Sequence, residues 1–286
     1  MIIMLTKNYL SLYAKSFNWA GFFLPKKTYE KCSALYDFCR TVDNLADEKN
    51  SLEIKKNNFL KFKSDFNSKN SMNPIIINMW KLIDEFQISL KIINDLFDGI
   101  ETDLKEKVVF NNKKDLLVYS YRVAGTVGLM MAKILNVKNK DALKSAINLG
   151  IAMQLTNISR DVVEDKMNNR FYIKENINVI KSTIDLSNIF YDSSFWAIRQ
   201  IPLSFRFSIL VARRVYKRIG YKISKKNTFS EYEASKKIYV TKLEKIYETM
   251  MSITDLLKLN FINKNNYTID KDLDLINEES FINERI

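Results

Sequence analysis

Near the end of a helix predicted over residues 149–165, one face carries only polar side chains. At about 100° per residue, Gln154, Asn157, Asp161 and Asp165 fall within roughly 80° of arc on an α-helix. Residues 149–153, just before them, are apolar. A helix that starts in the core and then aligns two amides and two carboxylates is expected to form one wall of a site for a charged group.

A second predicted helix repeats this carboxylate spacing. Asp43 and Asp47 lie four residues apart, and Tyr36 and Arg40 share their face. One such carboxylate pair is usually a solvated surface feature. Two pairs, each beside an arginine (Arg40, Arg160) on otherwise apolar helices, predict instead that the two helices face each other. Asp47 lies near the helix end, where the dipole disfavours an acid, so a positive group is expected to offset it.

Breakers of secondary structure are scarce, with six Gly and three Pro in 286 residues. Long helices joined by short connections are therefore favoured, and the predicted fold class is all-α. Hydrophobic residues make up 47% of the chain, which is ample for a core. Neither a repeat nor a low-complexity linker divides the sequence. We expect one domain over residues 1–267, followed by an acidic, flexible tail over residues 268–286.

The absence of histidine excludes zinc hydrolases and Ser/His/Asp triads. The two cysteines, Cys32 and Cys39, are seven residues apart on one predicted helix, a spacing typical of core packing more than of a disulfide.

The sequence has no uninterrupted run of about twenty apolar residues, which a membrane-spanning helix would need. The first residues are too short for a signal peptide, so we expect a cytoplasmic protein. A net charge of +12 suggests an anionic partner: nucleic acid, a phosphate-bearing substrate or an acidic membrane surface.

Three further features leave alternatives open or place single residues. Ala124, Gly128 and Ala132 form a small-residue stripe, which implies close approach of either a neighbouring helix or a ligand chain. Residues 168–173 predict a loop that returns an arginine and a tyrosine toward the acidic helix. Asp98 and Asp103, near Gly99, are expected to face solvent.

Carboxylate pairs without histidine suit Mg²⁺, which prefers oxygen ligands and binds through one or two carboxylates plus substrate phosphates. Arginines beside them can pair with the remaining phosphate oxygens. Such a site neutralises the charge that develops on a leaving diphosphate. The carbocation left behind requires a dry cavity with apolar and aromatic walls, which the Phe, Tyr and Met content of this chain can supply.

The sequence resembles the squalene/phytoene synthase family over about residues 10–250. Four blocks carry the resemblance in the family's order: Ser16-Phe17 with Leu24-Pro25, residues 35–47, residues 121–128, and residues 154–165 followed by residues 169–172. The resemblance implies an all-α isoprenoid synthase fold, in which helices surround a central cavity and the two aspartate motifs face each other across it.

The resemblance also implies roles for individual residues. Mg²⁺, or Mn²⁺ in its place, is expected on Asp43, Asp47, Asp161 and Asp165, joined by Asn157. These four aspartates, Tyr119 and Tyr216 are the expected catalytic residues. The expected substrate-binding residues are Ser16, Phe17, Tyr36, Arg40, Gln154, Asn157, Arg160 and Lys237. Two positions depart from the family pattern: Asn44 replaces a frequent second aspartate, and Lys237 replaces a usual arginine, keeping the charge but losing the bidentate fork.

The activity that the resemblance implies is head-to-head condensation of two geranylgeranyl diphosphates, through a cyclopropylcarbinyl diphosphate, to phytoene, with no need for NADPH. Synthesis of squalene, dehydrosqualene or presqualene diphosphate from farnesyl diphosphate is the alternative. A non-catalytic helical subunit or a basic nucleic-acid-binding protein represents other classes. Retention of all four aspartates argues against the former, and the lack of a nucleic-acid motif argues against the latter.

An insoluble hydrocarbon product leads us to expect peripheral association with the inner face of the membrane, through a basic or apolar face. Other carotenoid enzymes are further expected partners.

Overall fold

The computed structural model describes residues 15–69, 72–262 and 269–286, and these form the all-α structure that the sequence predicts. The first half contains α1 (Lys15–Gly21), α2 (Lys26–Asp47), α3 (Leu52–Ser68), α4 (Pro74–Phe86), α5 (Leu90–Thr102), α6 (Lys113–Ser120), a π-helical turn (Tyr121–Gly125) and α7 (Thr126–Ile134). The second half contains α8 (Lys140–Arg160), α9 (Val162–Met167), α10 (Ile177–Phe195), a 3₁₀ turn (Trp196–Gln200), α11 (Leu203–Ser224), α12 (Phe229–Ala234), α13 (Lys242–Phe261), α14 (Asp270–Ser280) and α15 (Ile282–Arg285).

Short polar side chains begin many of these helices by accepting a hydrogen bond from a backbone N–H of the first turn, which satisfies a donor that has no partner inside the helix. At α13, Thr241 and Glu244 form a reciprocal capping box. Caps of the simpler kind occur at Ser51, Asn73, Ser89, Asn112, Asn139, Asn176 and Thr228.

Helix α8 lies at the centre, with α7, α10 and α11 packed around it. Its residues Ile147, Ile151 and Leu155 are fully buried. A Cβ atom on Gly150 would lie 2.2 Å from the carbonyl oxygen of Ala124, and one on Gly128 would lie 2.2 Å from that of Ala146. The small-residue stripe therefore allows close helix packing, which is one of its two possible explanations.

The predicted helix over residues 149–165 is in fact two helices, because the backbone leaves helical geometry at Asp161 (φ −107°, ψ 16°). The hydroxyl of Tyr232, on α12, donates to the carbonyl oxygen of Arg160 at this break, over 2.7 Å. Asp165 N–H still bonds to the carbonyl oxygen of Asp161, at 2.8 Å, so α9 continues directly from the break.

A two-residue parallel ladder is formed by β1 (Val108–Val109) and β2 (Arg170–Phe171). The preceding residue, Asn169, has a positive φ of 58°, which turns the chain after α9. The ladder fixes the segment that carries Arg170, whose side chain contacts the end of α2.

The flexible acidic tail predicted for residues 268–286 is corrected for its described part, residues 269–286. Ile276 and Ile282 are buried, and Arg285 Nε and Nη2 lie 2.9 and 3.0 Å from the carboxylate oxygens of Asp95. Lys113 Nζ lies 2.6 Å from Asp272 Oδ1. These apolar and ionic contacts attach α14 and α15 to α5 and α6. Within the described ranges, no helix is long and apolar enough to cross a membrane.

Candidate active site

A cavity of about 340 Å³ lies between α2, α7, α8 and α11. Most of its wall is apolar, and Ala124, Gly128 and Ala132 of the small-residue stripe belong to that wall, so the stripe borders the cavity as well as packing α7 on α8. Other apolar lining residues include Leu96, Ile100, Val123, Val127, Met131, Leu135, Leu149, Met153, Ile198, Ile201 and Ile209. Such a wall excludes water and suits a long hydrocarbon chain.

The first acidic wall is the C-terminal half of α2, where Tyr36, Arg40 and Asp43 line the cavity. Arg40 forms an ion pair with Asp43, and its Nη2 atom lies 3.9 Å from Asp47 Oδ2. Burial, reinforced by repulsion from Asp47, raises the pKa of Asp43 to about 7, although the guanidinium of Arg40 acts in the opposite direction. Arg40 alone therefore does not neutralise the carboxylates of this wall.

Arg170 supplies part of that charge from β2. Its Nη1 atom lies 2.8 Å from Asp47 Oδ1, and its Nη2 atom donates to the carbonyl oxygen of Ala46 at 3.2 Å. The guanidinium thus caps the C-terminal end of α2 and offsets an acid that the helix dipole disfavours. The predicted loop does return an arginine to the acidic region, although Arg170 was not among the predicted site residues.

Asp103 was expected to face solvent, and the structure shows this to be wrong. Its carboxylate is buried and accepts hydrogen bonds from the hydroxyls of Tyr119 (2.7 Å) and Tyr172 (2.5 Å). Arg170 Nε lies 3.8 Å away. Burial raises the pKa of Asp103, while Arg170 and the two hydroxyls act against the rise. No local sequence pattern distinguishes Asp103 from the exposed Asp98, because the partners of Asp103 come from distant segments.

The second acidic wall is the junction of α8 and α9. Gln154 and Asn157 line the cavity. At the break, Arg160 Nε and Nη2 lie 2.8 and 2.5 Å from the two oxygens of Asp161. Burial, followed by repulsion from Asp161, raises the pKa of Asp165 to about 8. This wall, like the first, holds carboxylates at high electrostatic cost.

Electrostatic interactions connect the two walls. Arg170 lowers and Asp103 raises the pKa of Asp43 on α2, and both act in the same directions on Asp165 of α9. On the other side, Tyr216 of α11 interacts with Arg160 and Asp161 as well as with Tyr36. The two helices predicted to face each other therefore border one site.

Some of the remaining predicted residues line the cavity, and others lie outside it. Phe17, Tyr119 and Tyr216 line the cavity, and the rings of Phe17 and Tyr216 are 4.7 Å apart. Burial raises the pKa of Tyr216 to about 12, so its hydroxyl keeps its proton near neutral pH. Ser16 lies beside Phe17 on α1, but it is not among the described side chains that line the cavity. Exposed Lys237 lies 2.6 Å from Glu164 Oε2 and 3.7 Å from Asp161 Oδ1, above the second wall.

The donor set of the two walls fits a magnesium ion. Asn157 Oδ1 is buried and accepts no hydrogen bond from the part of the chain that the structure describes. Among those same residues, no three Cys, Asp or Glu side chains converge as a ready-made metal site. Instead, Arg40, Arg160 and Arg170 each pair with a carboxylate of the walls. A free amide oxygen beside carboxylates with raised pKa values is a set of hard oxygen donors suited to Mg²⁺.

Comparison with known proteins agrees with this geometry. The model of the squalene/phytoene synthase family matches residues 10–178, a range that includes both acidic walls. The chain belongs to this family. The predicted resemblance is thereby confirmed, and the comparisons indicate an enzyme of the prenyltransferase type.

Relatives of this squalene/phytoene synthase family member include a phytoene synthase of Rhodobacter capsulatus, 28% identical over 73% of this chain and 69% of the relative. The 15-cis-phytoene synthase of Pantoea ananas is 28% identical over 73% of this chain and 78% of the relative. Among solved structures, a dehydrosqualene synthase bound to a ligand has a TM-score of 0.74 and 25% identity, and the match covers 87% of this chain and 94% of that one. The isoprenoid synthase fold predicted from the sequence is confirmed.

Proposed function

We propose that this protein is a phytoene synthase, which condenses two molecules of geranylgeranyl diphosphate to phytoene with the help of Mg²⁺. The observation that carries the proposal is the meeting of two carboxylate walls, each with its own arginine, beside one apolar cavity. The similarity to bacterial and plant phytoene synthases supports it.

Asp43, Asp47, Asp161, Asp165 and Asn157 would hold the magnesium ions. Bound Mg²⁺ supplies Lewis-acid stabilisation of the charge that develops on a departing diphosphate. The arginines that pair with these carboxylates would then be released to hydrogen-bond phosphate oxygens, which the planar guanidinium does in bidentate fashion. Arg40 and Arg160 are the best placed for this, and Lys237 adds a cation from the surface side.

The proposed reaction has two ionisations. In the first, the C1–O bond of one substrate breaks, diphosphate leaves with the electron pair, and the allylic cation is attacked by the C2–C3 double bond of the second substrate. Loss of one proton closes the cyclopropane. In the second, the remaining diphosphate leaves, the carbon skeleton rearranges, and loss of another proton forms the central double bond. Two diphosphates and two protons are released, and no reductant is consumed.

The cavity serves these steps by excluding water and by facing the cations with aromatic rings. Tyr36, Phe17 and Tyr216 lie where the apolar wall meets the carboxylates. Their π faces stabilise positive charge through cation–π contact. The raised pKa values of Tyr36 and Tyr216 keep both hydroxyls protonated and neutral. The hydroxyl of Tyr119 already donates to Asp103. Proton acceptors available in the cavity are a tyrosine hydroxyl, a polar group such as Gln154, and the released diphosphate.

A second candidate is synthesis of a C30 hydrocarbon from farnesyl diphosphate. The similarity to a solved dehydrosqualene synthase favours it, because that structure matches most of both chains. The same site chemistry would operate, with shorter chains in the cavity. Squalene additionally requires hydride from NADPH in place of the final proton loss.

Product analysis separates these activities. Purified protein with Mg²⁺ is given either geranylgeranyl or farnesyl diphosphate, with and without NADPH, and the extracted hydrocarbon is identified by mass spectrometry. We expect phytoene from geranylgeranyl diphosphate in both conditions. Squalene formed only with NADPH would refute the phytoene proposal, and dehydrosqualene without NADPH would assign the second candidate.

The cellular setting is part of the same proposal. A carotenoid-forming enzyme of this kind would act in the cytoplasm and deliver its product to neighbouring carotenoid enzymes. Fractionation of cells, with the protein followed by immunoblot, tests the location, and recovery only outside the cytoplasmic and membrane fractions would contradict it.

A further inference from the structure

Helix α13 is amphipathic, but most of its apolar side chains are exposed rather than buried. Seven of them fall within roughly 120° of arc at about 100° per residue. The exposed fractions of Leu243, Met250 and Phe261 are 80%, 64% and 83%. We call these seven residues the α13 stripe: Leu243, Ile246, Tyr247, Met250, Ile253, Leu257 and Phe261.

The opposite face of α13 carries its acidic side chains together with buried Leu259 and packs inward on α11. Arg214 forms ion pairs with Glu248 (3.1 Å) and Asp255 (2.6 Å), and Glu244 accepts from Lys222 at 3.0 Å. Rotation of the helix to bury its apolar side would break these partly buried pairs and leave charges unsatisfied. The polar contacts therefore fix the α13 stripe on the outside of the described structure.

One end of the stripe lies next to the cavity wall. Arg206 donates from Nε to the carbonyl oxygen of Ile201 at 2.7 Å and from Nη1 to Asn260 at 3.3 Å, so the last turn of α13 adjoins Ile201, which lines the cavity. Leu203, two residues after Ile201, is largely exposed. Exposed apolar surface thus extends from the stripe toward the cavity.

The charges around the stripe are positive. The exposed face of α13 carries Lys242 and Lys258 and no acid among its described residues. In the neighbouring groove between α10, α11 and α13, four cations form ion pairs with acids, and the groove also contains Lys258. The paired cations are Arg213, Arg214, Lys217 and Arg218. A second copy of this face would bring lysine against lysine, whereas anionic lipid headgroups complement it.

We propose that the α13 stripe is the surface through which this protein binds an anionic membrane, with the helix lying in the plane of the interface. A helix of 20 residues is about 30 Å long, and an apolar face bordered by lysines and carrying an aromatic residue at its end is suited to the headgroup boundary. The inference rests on the proposed function in one respect, since a hydrocarbon product leaving near Ile201 would pass directly into lipid.

Vesicle flotation tests membrane binding by the α13 stripe without requiring catalytic turnover. A negative result would therefore not contradict the proposed reaction. Vesicles of phosphatidylcholine alone and with phosphatidylglycerol are compared for the wild type, for M250E/L257E, and for L60E/I189E. The last pair makes the same charge change at exposed apolar positions on α3 and α10. Circular dichroism checks that both variants fold.

We expect the wild type and L60E/I189E to float with the anionic vesicles and M250E/L257E to bind at least tenfold more weakly. A wild type that stays at the bottom of the gradient would overturn the proposal. Equal loss of binding by both double variants, or equal retention, would also overturn it, because the effect would then not belong to α13.

Two further measurements test whether the chain itself or a second copy, rather than a membrane, covers the α13 stripe. The variant M250C is labelled with an environment-sensitive dye, whose emission should shift from aqueous to apolar only when anionic vesicles are added. Apolar emission before that addition would mean that another part of the chain or a second copy already covers the stripe, and would overturn the proposal. Analytical ultracentrifugation should show a monomer, and a dimer that M250E/L257E dissociates would assign the stripe to a second copy instead.

Discussion

Arg170 and Asp47 form an ion pair of 2.8 Å that joins the segment after the second acidic wall to the end of the first. The same guanidinium donates to the carbonyl oxygen of Ala46 and lies 3.8 Å from buried Asp103. Arg170 therefore holds the two acidic walls in fixed positions relative to each other before any substrate binds.

The first prediction concerns this guanidinium. Arg170→Lys keeps the charge but cannot bond Asp47 and Ala46 together, so we expect kcat/KM to fall at least about tenfold, equivalent to roughly 1.4 kcal/mol. Steady-state release of diphosphate measures the effect. Arg285→Lys is the matched control, because it weakens a two-point pair with Asp95 on α5. The control should lose stability but keep kcat/KM; equal kcat/KM values for the two variants would contradict the role of Arg170.

The second prediction concerns the hydroxyls on Asp103. Tyr119 and Tyr172 both donate to this carboxylate, and their rings stack with centroids 4.7 Å apart. Tyr119 lines the cavity and is predicted to be catalytic; because its hydroxyl donates to Asp103, we propose that it acts by positioning this carboxylate. We expect Tyr119→Phe and Tyr172→Phe to lower the free energy of unfolding alike, by about 1 kcal/mol each, with similar losses of kcat. A much larger loss of kcat for Tyr119→Phe would restore the catalytic assignment.

The third prediction concerns the close crossing of α8 and the π-helical turn (Tyr121–Gly125). Gly150→Ala places a Cβ atom 2.2 Å from a backbone carbonyl oxygen, so the helices must separate and we expect destabilisation by about 3 kcal/mol or more. Gly220→Ala is the control, since its Cβ atom meets only side-chain atoms of Ile184 at 3.3 and 3.4 Å. There the gain in helix propensity should keep the change within about 1 kcal/mol. Urea unfolding measures both, and equal effects would show that the crossing is not tight.

The fourth prediction is a dependence of stability on pH through Glu244. Partial burial favours the neutral acid, but hydrogen bonds from Thr241 and Lys222 outweigh burial and lower its pKa to about 2, from a usual 4.5. Because the folded-state pKa lies below the unfolded value, the stabilisation is present above about pH 4.5 and is lost as pH falls toward 2. We expect Glu244→Gln to be less stable than the wild type at pH 6 and to approach it near pH 2. Thermal unfolding at both pH values checks this, and a difference that does not change with pH would contradict it.

The sequence predicted the parts of the site that repeat within one helix. The spacing of Asp43 and Asp47, and of Asp161 and Asp165, was enough to indicate carboxylates on facing helices, and the scarcity of Gly and Pro was enough to indicate an all-α fold. It could not show the break at Asp161, because the hydroxyl that bonds the carbonyl oxygen of Arg160 comes from Tyr232, over seventy residues away.

Asp103 and the C-terminal helices were predicted incorrectly for a related reason. Asp103 resembles a surface acid until Tyr119, Tyr172 and Arg170 are brought to it by the fold. The acidic composition of residues 269–286 indicated a solvated tail, but Arg285 and buried Ile276 attach that segment to the core. Only tertiary contacts distinguish these residues from ordinary surface acids.

The most direct test of the account is whether the two acidic walls act as one site. Diphosphate release from geranylgeranyl diphosphate and Mg²⁺ is measured for Asp43→Asn, Asp161→Asn and the double variant, with circular dichroism as the check on folding. We predict that each single variant loses at least about a hundredfold in kcat and that the double variant is hardly worse than either, because residues that act as a unit are not additive. Full activity in either single variant, or losses that multiply in the double variant, would contradict a single site formed by Asp43 and Asp161.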